Sequence, residues 1–459
     1  MNDYQLLIIG AGPGGYEAAM HAVELGMTVA VIEKAEIGGT CLNRGCIPTK
    51  TLLHAAEMFQ SARDCARYGL RIQESEPDMR SIFDRKDEVG KSLRDGLGSL
   101  LESMGVMMIE GTGTVCAEHS VSVRTGESEH ILTGDAILIA SGSVPARPPI
   151  PGLELDGVMT SDDILKGADK LYKSLVIMGG GVIGVELATF YSRLGTKVTI
   201  LEGMDRLLPN MDKELGQNLS VILKKQGVDV LTKSMVTGIT KEKELMSVEY
   251  NQGGKTGVVQ GEKVLCSIGR IPNLEGVLGN GVELEMDHRR IKVDSRFKTS
   301  MPGVYAIGDV SSPVQLAHVA SAQGRACVEM MAGQAPVADL NTIPGCVYCQ
   351  PEIASAGLTE EEAKARGIPA VSGKYVMFSN SRSVIHEAPR SFIKIVANRE
   401  NHRILGAHLM CEHATDMISE LTVAIANGMT AEELLTAMRP HPTFEEGVTD
   451  ALRALRKKW

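Results

Sequence analysis

The sequence predicts an α/β chain: two doubly wound nucleotide-binding units followed by a C-terminal α+β domain. Three observations carry this reading. A strand, a glycine-rich turn, a helix and a second strand succeed one another at Gln5–Gly10, Gly10–Gly15, Tyr16–Leu25 and Thr28–Glu33. The same order returns about 170 residues later at Ser174–Gly179, Gly179–Gly184, Val185–Leu194 and Lys197–Glu202, so two Rossmann-like βαβ units are expected. From about Pro344 the pattern changes. Tyr375–Phe378, Ser391–Ala397 and Ile404–Leu409 read as antiparallel strands, with helices beginning at Ala414 and Ala431.

Between these blocks, Met79–Met104 has helical periodicity, and Val106–Ile137 alternates like a small β-meander. Pro145, Pro148, Pro149 and Pro151 make a stiff connector. Glu262–Gly269 and Gly303–Gly308 are apolar strands that end at glycine. At 459 residues the chain has room for about three domains.

Composition narrows the function. Glycine, at 49 residues, exceeds the average usage of ~7%, which directs attention to loops that approach ligands closely. A net charge of −10 argues against nucleic-acid and anionic-membrane partners. The one basic run, Arg453 to Lys457, closes a helical tail and suits its negative dipole end. No apolar stretch approaches the ~20 residues of a membrane span, and the first strand begins almost at Met1, so a cytoplasmic protein is expected. Nine scattered cysteines do not suggest a structural disulfide framework; any disulfide should be catalytic.

In the first loop, Gly10-Ala11-Gly12-Pro13-Gly14-Gly15, Gly10 permits the tight turn and Gly12 the approach of a pyrophosphate. Gly15 lets helix pack on strand, and the helix N-terminus offers free N–H groups to phosphates. Glu33 ends the second strand, where a carboxylate can accept from ribose hydroxyls. The second loop, Gly179-Gly180-Gly181-Val182-Ile183-Gly184, has Glu202 in the same place. An acid there favours NAD over NADP, although Arg206 follows four residues on.

Cys41 and Cys46 lie just beyond the first unit. On a regular helix, residues five apart are ~7.5 Å apart along the axis and ~140° round it, too far for a disulfide. The segment must therefore be irregular, and Gly45 and Pro48 suit a break at a helix start, where a thiol also ionises more readily. Lys50 lies one turn beyond Cys46, and Glu186 on the second unit is a candidate partner. His441, between Pro440 and Pro442, is a candidate base, with Glu446 to orient it. Cys346-x-x-Cys349 lacks a companion pair at metal spacing, so no metal site is expected and both are read as ordinary buried thiols.

Gly38-Gly39-Thr40-Cys41-Leu42-Asn43 with Gly45-Cys46-Ile47-Pro48-Thr49-Lys50 resembles the active-site stretch of dihydrolipoyl dehydrogenases. Ser141-Gly142-Ser143, Gly269-Arg270-Ile271-Pro272-Asn273, Gly303 to Asp309, Leu316-Ala317-His318 and His441 to Glu446 extend the likeness. The chain thus resembles the pyridine nucleotide–disulfide oxidoreductases over essentially its whole length.

The resemblance implies an FAD-binding domain at 1–148 completed by a central segment 271–343, an NAD-binding domain at 149–270, and a dimerisation domain at 344–459. It implies a Cys41–Cys46 redox disulfide, with Cys41 the interchange thiol and Cys46 the flavin-facing thiolate, and His441 and Glu446 as acid/base pair supplied by the other subunit of a homodimer. Lys50 and Glu186 join this catalytic set. Cofactor contacts are implied at Gly10, Gly12, Gly14, Gly15, Glu33, Gly39, Thr40, Lys50, Gly113, Ser141, Gly142, Asp309 and Ala317. Further ones are implied at Gly179, Gly181, Gly184, Glu186, Glu202, Val236 and Gly269.

The expected activity is oxidation of dihydrolipoyl groups on a carrier protein of a 2-oxo acid dehydrogenase or glycine cleavage complex. The alternatives are a glutathione- or mercuric-reductase-like enzyme and a non-catalytic flavoprotein scaffold. Glu202 argues against the first, the absence of a C-terminal cysteine pair against the second, and the presence of Cys41, Cys46 and His441 against the third. Arg44, Arg439 and Phe444 depart from the commonest residues of the family's motifs.

Overall fold

A computed structural model describes residues 2–72, 76–388 and 390–459. The first unit opens with β1 (Tyr4–Ile9), α1 (Pro13–Glu24) and β2 (Val29–Glu33). Helix α1 starts three residues before the expected Tyr16, because Pro13 occupies its first position, where a missing N–H costs nothing. Two helices follow, α2 (Gly39–Arg44) and α3 (Cys46–Asp64), with Gly45 as the break between them. Then come α4 (Met79–Ser103), β3 (Met107–Glu110), β4 (Thr112–Ala117), β5 (Ser120–Thr125) and β6 (Ser128–Ile139).

The expected meander is only partly one. β3 leaves it and pairs in parallel with β2, while β6 is antiparallel to β5 in its first half and parallel to β1 in its second. The 12 residues of β6 therefore join the meander to the parallel sheet. Leu6, Leu7 and Ile8 of β1 are fully buried, the continuous apolar run of a strand covered on both faces.

The proline connector starts as a short strand, β7 (Ser143–Pro145). The second unit contains β8 (Val158–Thr160), α5 (Ser161–Ile164), β9 (Ser174–Met178), α6 (Val182–Leu194), β10 (Lys197–Glu202), α7 (Lys213–Lys225) and β11 (Asp229–Thr232). A meander of β12 (Ser234–Glu242), β13 (Leu245–Gln252) and β14 (Lys255–Gly261) precedes β15 (Lys263–Cys266). The parallel order is β11-β10-β9-β15-β8.

Next, β16 (Arg270–Pro272) pairs with β7, so the chain leaves the second unit beside the point where it entered. β17 (Met286–Asp287) and β18 (Arg290–Ile291) form a small ribbon. β19 (Val304–Ala306) then returns to the first sheet beside β6, and α8 (Ala317–Met331) packs on α1.

The C-terminal part has β20 (Gly345–Val347), β21 (Ile353–Gly357), α9 (Glu360–Ala365), β22 (Ala370–Val376), α10 (Ser381–Ile385), β23 (Phe392–Asn398) and β24 (Ile404–Met410). It ends with α11 (Ala414–Ala426), α12 (Ala431–Leu435) and α13 (Glu446–Arg456). The strand expected at Tyr375–Phe378 is the end of a longer one beginning at Ala370, and Met377–Ser379 turns into a 3₁₀ helix. Ile418, Leu421, Leu452 and Leu455 bury α11 and α13 against an antiparallel sheet in the order β20-β21-β24-β23-β22. A buried ion pair, Lys394 to Asp212 at 2.7 Å, pins this domain to the N-cap of α7. Among the described residues no helix is long and apolar enough to cross a membrane.

Candidate active site

The two glycine loops are near copies. Gly10 and Gly179 hold φ of +105° and +102°, where a Cβ would sit 2.5 Å from the carbonyl oxygens of Ala140 and Ser267 respectively. Only glycine tolerates that turn. A Cβ on Gly15 would meet the Gly10 oxygen at 1.9 Å, and one on Gly184 the Gly179 oxygen at 2.0 Å. These two residues thus let helix and strand touch. Helices α1 and α6 start from Gly12 and Gly181 with no side chain capping them, so their first N–H groups remain available to an anion.

The two acids also match. Glu33 accepts from the Ala11 N–H at 2.7 Å and the Ala35 N–H at 2.9 Å. Glu202 accepts from the N–H groups of Gly180 at 2.6 Å and Met204 at 2.7 Å. Each carboxylate is thereby fixed at the end of its strand with lone pairs left for ribose hydroxyls. Two cradles of this form fit two dinucleotides.

Both open into one cavity of about 840 Å³. All but two of the twenty residues of the sequence-derived cofactor set line it; Gly15 and Gly184 stand behind it in their packing roles. The lining includes Gly113 on β4, Val236 on β12, and Ser141, Gly142 and Asp309. Ser143 donates to Asp309 at 2.6 Å, and Arg270 donates through Nε to Ser143 Oγ at 2.8 Å. Burial nevertheless pushes the Asp309 carboxyl above its ordinary range, against the pull of Ser143 and Arg270.

Cys41, on α2, and Cys46, the first residue of α3, lie in the same cavity as free thiols. Gly45 (φ −149°, ψ −109°) makes the irregularity that brings them together. The Cys41 thiol donates to Cys46, which raises the pKa of Cys41, with burial adding to the rise. The same bond lowers Cys46 to about 7, with Lys50 adding to the fall against the opposing effect of burial. The two thiols are thus unequal, and the shared hydrogen bond favours the thiolate on Cys46.

Lys50 donates to both oxygens of Glu186, at 2.9 and 2.8 Å, joining α3 of one unit to α6 of the other. Tyr348 completes the arrangement. Its N–H donates to Glu186 at 3.0 Å and its ring lies 4.6 Å from the Lys50 ammonium. No sequence signal pointed to Tyr348, which is some 300 residues from Lys50 along the chain.

One sequence expectation needs correction. Cys346 is not an ordinary buried thiol: it is half-buried and lines the cavity, while Cys349 is buried. β20 is a short edge strand entering beside Lys50, so the face carrying Cys346 looks into the cleft. Burial and Glu352 push Cys346 up to about 11, with Lys50 opposing, and burial also raises Cys349. Neither thiol is primed as a nucleophile.

His441 Nδ1 lies 2.9 Å from Glu446 Oε1. The Thr443 N–H donates to the other Glu446 oxygen at 3.0 Å, and this bond, with the one from His441, holds the carboxyl below its ordinary range. An ionised carboxylate only accepts, so Nδ1 carries the hydrogen, and in the neutral imidazole Nε2 is the acceptor. The imidazole is 69% exposed and does not line the cavity, so within one chain it is not brought to the cysteines.

The family model described as pyridine nucleotide-disulphide oxidoreductase matches residues 4–324, and the dimerisation domain of the same family matches 343–452. The chain belongs to this family. Pyridine nucleotide–disulphide oxidoreductases of this type use FAD and NAD, in agreement with the two cradles. A dihydrolipoyl dehydrogenase of Bacillus subtilis is 37% identical, over 98% of both chains. LpdA of Mycobacterium tuberculosis superposes with a TM-score of 0.89 at 27% identity, covering 98% of this chain and 99% of that one. The HOCl-induced flavoprotein disulfide reductase RclA of Escherichia coli does so at 0.86 and 28%, over 99% of each.

Proposed function

We propose that this oxidoreductase is a dihydrolipoyl dehydrogenase, which oxidises dihydrolipoyl groups on a carrier protein and passes the electrons to NAD. The observation that carries the reading is the single cavity that holds a low-pKa thiolate beside a lysine and connects both nucleotide cradles. The full-length likeness to a dihydrolipoyl dehydrogenase supports the choice of substrate.

The chemistry starts from the Cys41–Cys46 disulfide. A substrate thiol, deprotonated by His441 Nε2, attacks the Cys41 sulfur and displaces Cys46 as a thiolate. Loss of Cys46 rather than Cys41 follows from its lower pKa, since the better leaving group departs. The second substrate thiol then displaces Cys41 and closes the lipoyl disulfide. Bound FAD supplies the two-electron path from the Cys41–Cys46 dithiol to NAD. Overall two substrate thiols become a disulfide, one hydride goes to NAD and one proton to water. His441 and Glu446 reach the cysteines from the partner subunit, so the homodimer is the active unit. The FAD-binding domain comprises 1–148 and 271–343, the NAD-binding domain 149–270 and the dimerisation domain 344–459. The carrier belongs to a 2-oxo acid dehydrogenase or glycine cleavage complex, and the enzyme works in the cytoplasm.

The test is steady-state turnover with free dihydrolipoamide, NAD against NADP, with glutathione disulfide as the control substrate. Turnover of dihydrolipoamide with NAD is expected. Brisk reduction of glutathione disulfide without dihydrolipoamide turnover would overturn the assignment. Cys41→Ser is expected to keep the long-wavelength thiolate–flavin band and Cys46→Ser to lose it.

A further inference from the structure

The FAD diphosphate carries two negative charges, yet the loop that receives it offers no cation. Gly10 to Gly15 contains only glycine, alanine and proline, and the N-terminal dipole of α1 supplies only about half a positive charge. The whole chain, at −10, adds an unfavourable field. Of the cations lining the cavity, Lys50 is held by Glu186, and Arg270 by Ser143 with Asp162 nearby. Arg44 and Lys34 remain.

Arg44 is placed for the task. It lies four residues after Thr40 on α2, on the same helix face, and both line the cavity. Helical side chains lean back toward the N-terminus, and the guanidinium accordingly reaches back to Glu36, 3.7 Å away and just before α2. That end of α2 abuts the first loop so closely that a Cβ on Gly39 would meet Gly12 Cα at 2.6 Å. Asn43 fixes the base of the arm, donating to the Ile37 and Gly39 carbonyls at 2.9 Å while accepting from Arg94 at 2.9 Å. Among the described residues, the one ion pair of Arg44, to Glu36 at 3.7 Å, is loose, with side chains 40% and 56% exposed. A pair of that kind orients the guanidinium without satisfying it. It is also not Arg44 that lowers the Cys46 pKa; Lys50 is the cation that does so.

We propose that Arg44 holds the diphosphate of FAD and supplies the positive charge the glycine loop lacks. The proposal rests on FAD occupying the first cradle. α2, at six residues, is too short to act through its own dipole, so the guanidinium itself provides the charge.

The test uses purified holoenzyme, following FAD release by flavin fluorescence and the diphosphate by phosphorus NMR. Arg44→Ala is expected to release FAD about tenfold faster and to move the bound phosphorus resonances, while Arg44→Lys keeps most of the retention. Added salt should speed release from the native enzyme and hardly affect Arg44→Ala. The flavin-free native and Arg44→Ala proteins should melt at the same temperature; a large drop in the variant would make the role structural and overturn the proposal. Release within twofold of the native rate with unmoved resonances would also overturn it, as would loss of FAD in Lys34→Ala but not Arg44→Ala. A native protein that carries no FAD would instead defeat the underlying cofactor assignment.

Discussion

The two nucleotide units repeat each other almost atom for atom at their glycine turns, yet their surroundings differ. In the first, Gly39 of α2 presses against Gly12, and a Cβ on Gly14 would sit 3.1 Å from the Ala320 carbonyl oxygen of α8. Its loop is closed in on two sides. In the second, a Cβ on Gly180 would meet the Leu207 side chain at 2.4 Å, but one on Gly181, the counterpart of Gly12, would meet nothing within 4 Å, where one on Gly12 would meet Gly39 Cα at 3.9 Å. The same local sequence therefore makes a lidded cradle suited to a resident cofactor and an open one suited to a nucleotide that comes and goes. Enclosure, not the glycine pattern, separates the two cradles.

The sharpest way to break the comparison is to spoil each turn in the same manner. Gly15→Ala and Gly184→Ala both push a methyl into a carbonyl oxygen, overpacking of a kind that costs about 1–3 kcal/mol. Gly15→Ala should be purified largely without flavin. Gly184→Ala should remain yellow and still be reduced by dihydrolipoamide, but lose most NADH formation. Absorbance at the flavin maximum and single-turnover reduction decide between them, and equal flavin loss in both would void the distinction.

A smaller effect should follow from the paired acids. Glu202→Gln is expected to raise the KM for NAD about tenfold and leave flavin content unchanged, because a charge-assisted bond to a ribose hydroxyl becomes a neutral one. Glu33→Gln should do the reverse, lowering FAD retention with the KM for NAD unchanged.

Much of this was legible in the chain. Both turns and both acids followed from spacing, because a βαβ unit fixes each residue's place within about thirty positions; the Lys50–Glu186 pairing, across 136 residues, was a candidate that the docking of α3 on α6 realised. Tyr348 and the exposure of Cys346 were not legible, since they depend on how β20, far along the chain, docks beside α3 and α6. The double pairing of β6 was missed because its second half pairs with the distant β1, and the early start of α1 because element ends are set by local backbone competition that periodicity does not resolve.

The smallest predicted effect is on pH. A thiol whose pKa is lowered from 9.0 to about 7 is a thiolate above that pH and neutral below it. The long-wavelength band of the reduced enzyme should therefore be full at pH 8 and fade as the pH falls through about 7. Lys50→Met should move that midpoint upward, since it removes the cation beside Cys46. An unchanged midpoint would leave the hydrogen bonds to Cys46 as the cause.

The sequence by itself determined the reaction class: two dinucleotide turns, a cysteine pair that no regular helix could bridge, and a histidine with its acid. Such features are local, each written within a few residues. The tertiary structure decided what is collective. It made the two thiols unequal, since one donates to the other with Lys50 alongside. It pressed α2 and the distant α8 onto the first loop and left Gly181 of the second without such a neighbour. It also kept His441 out of its own chain's cavity, beside Glu446.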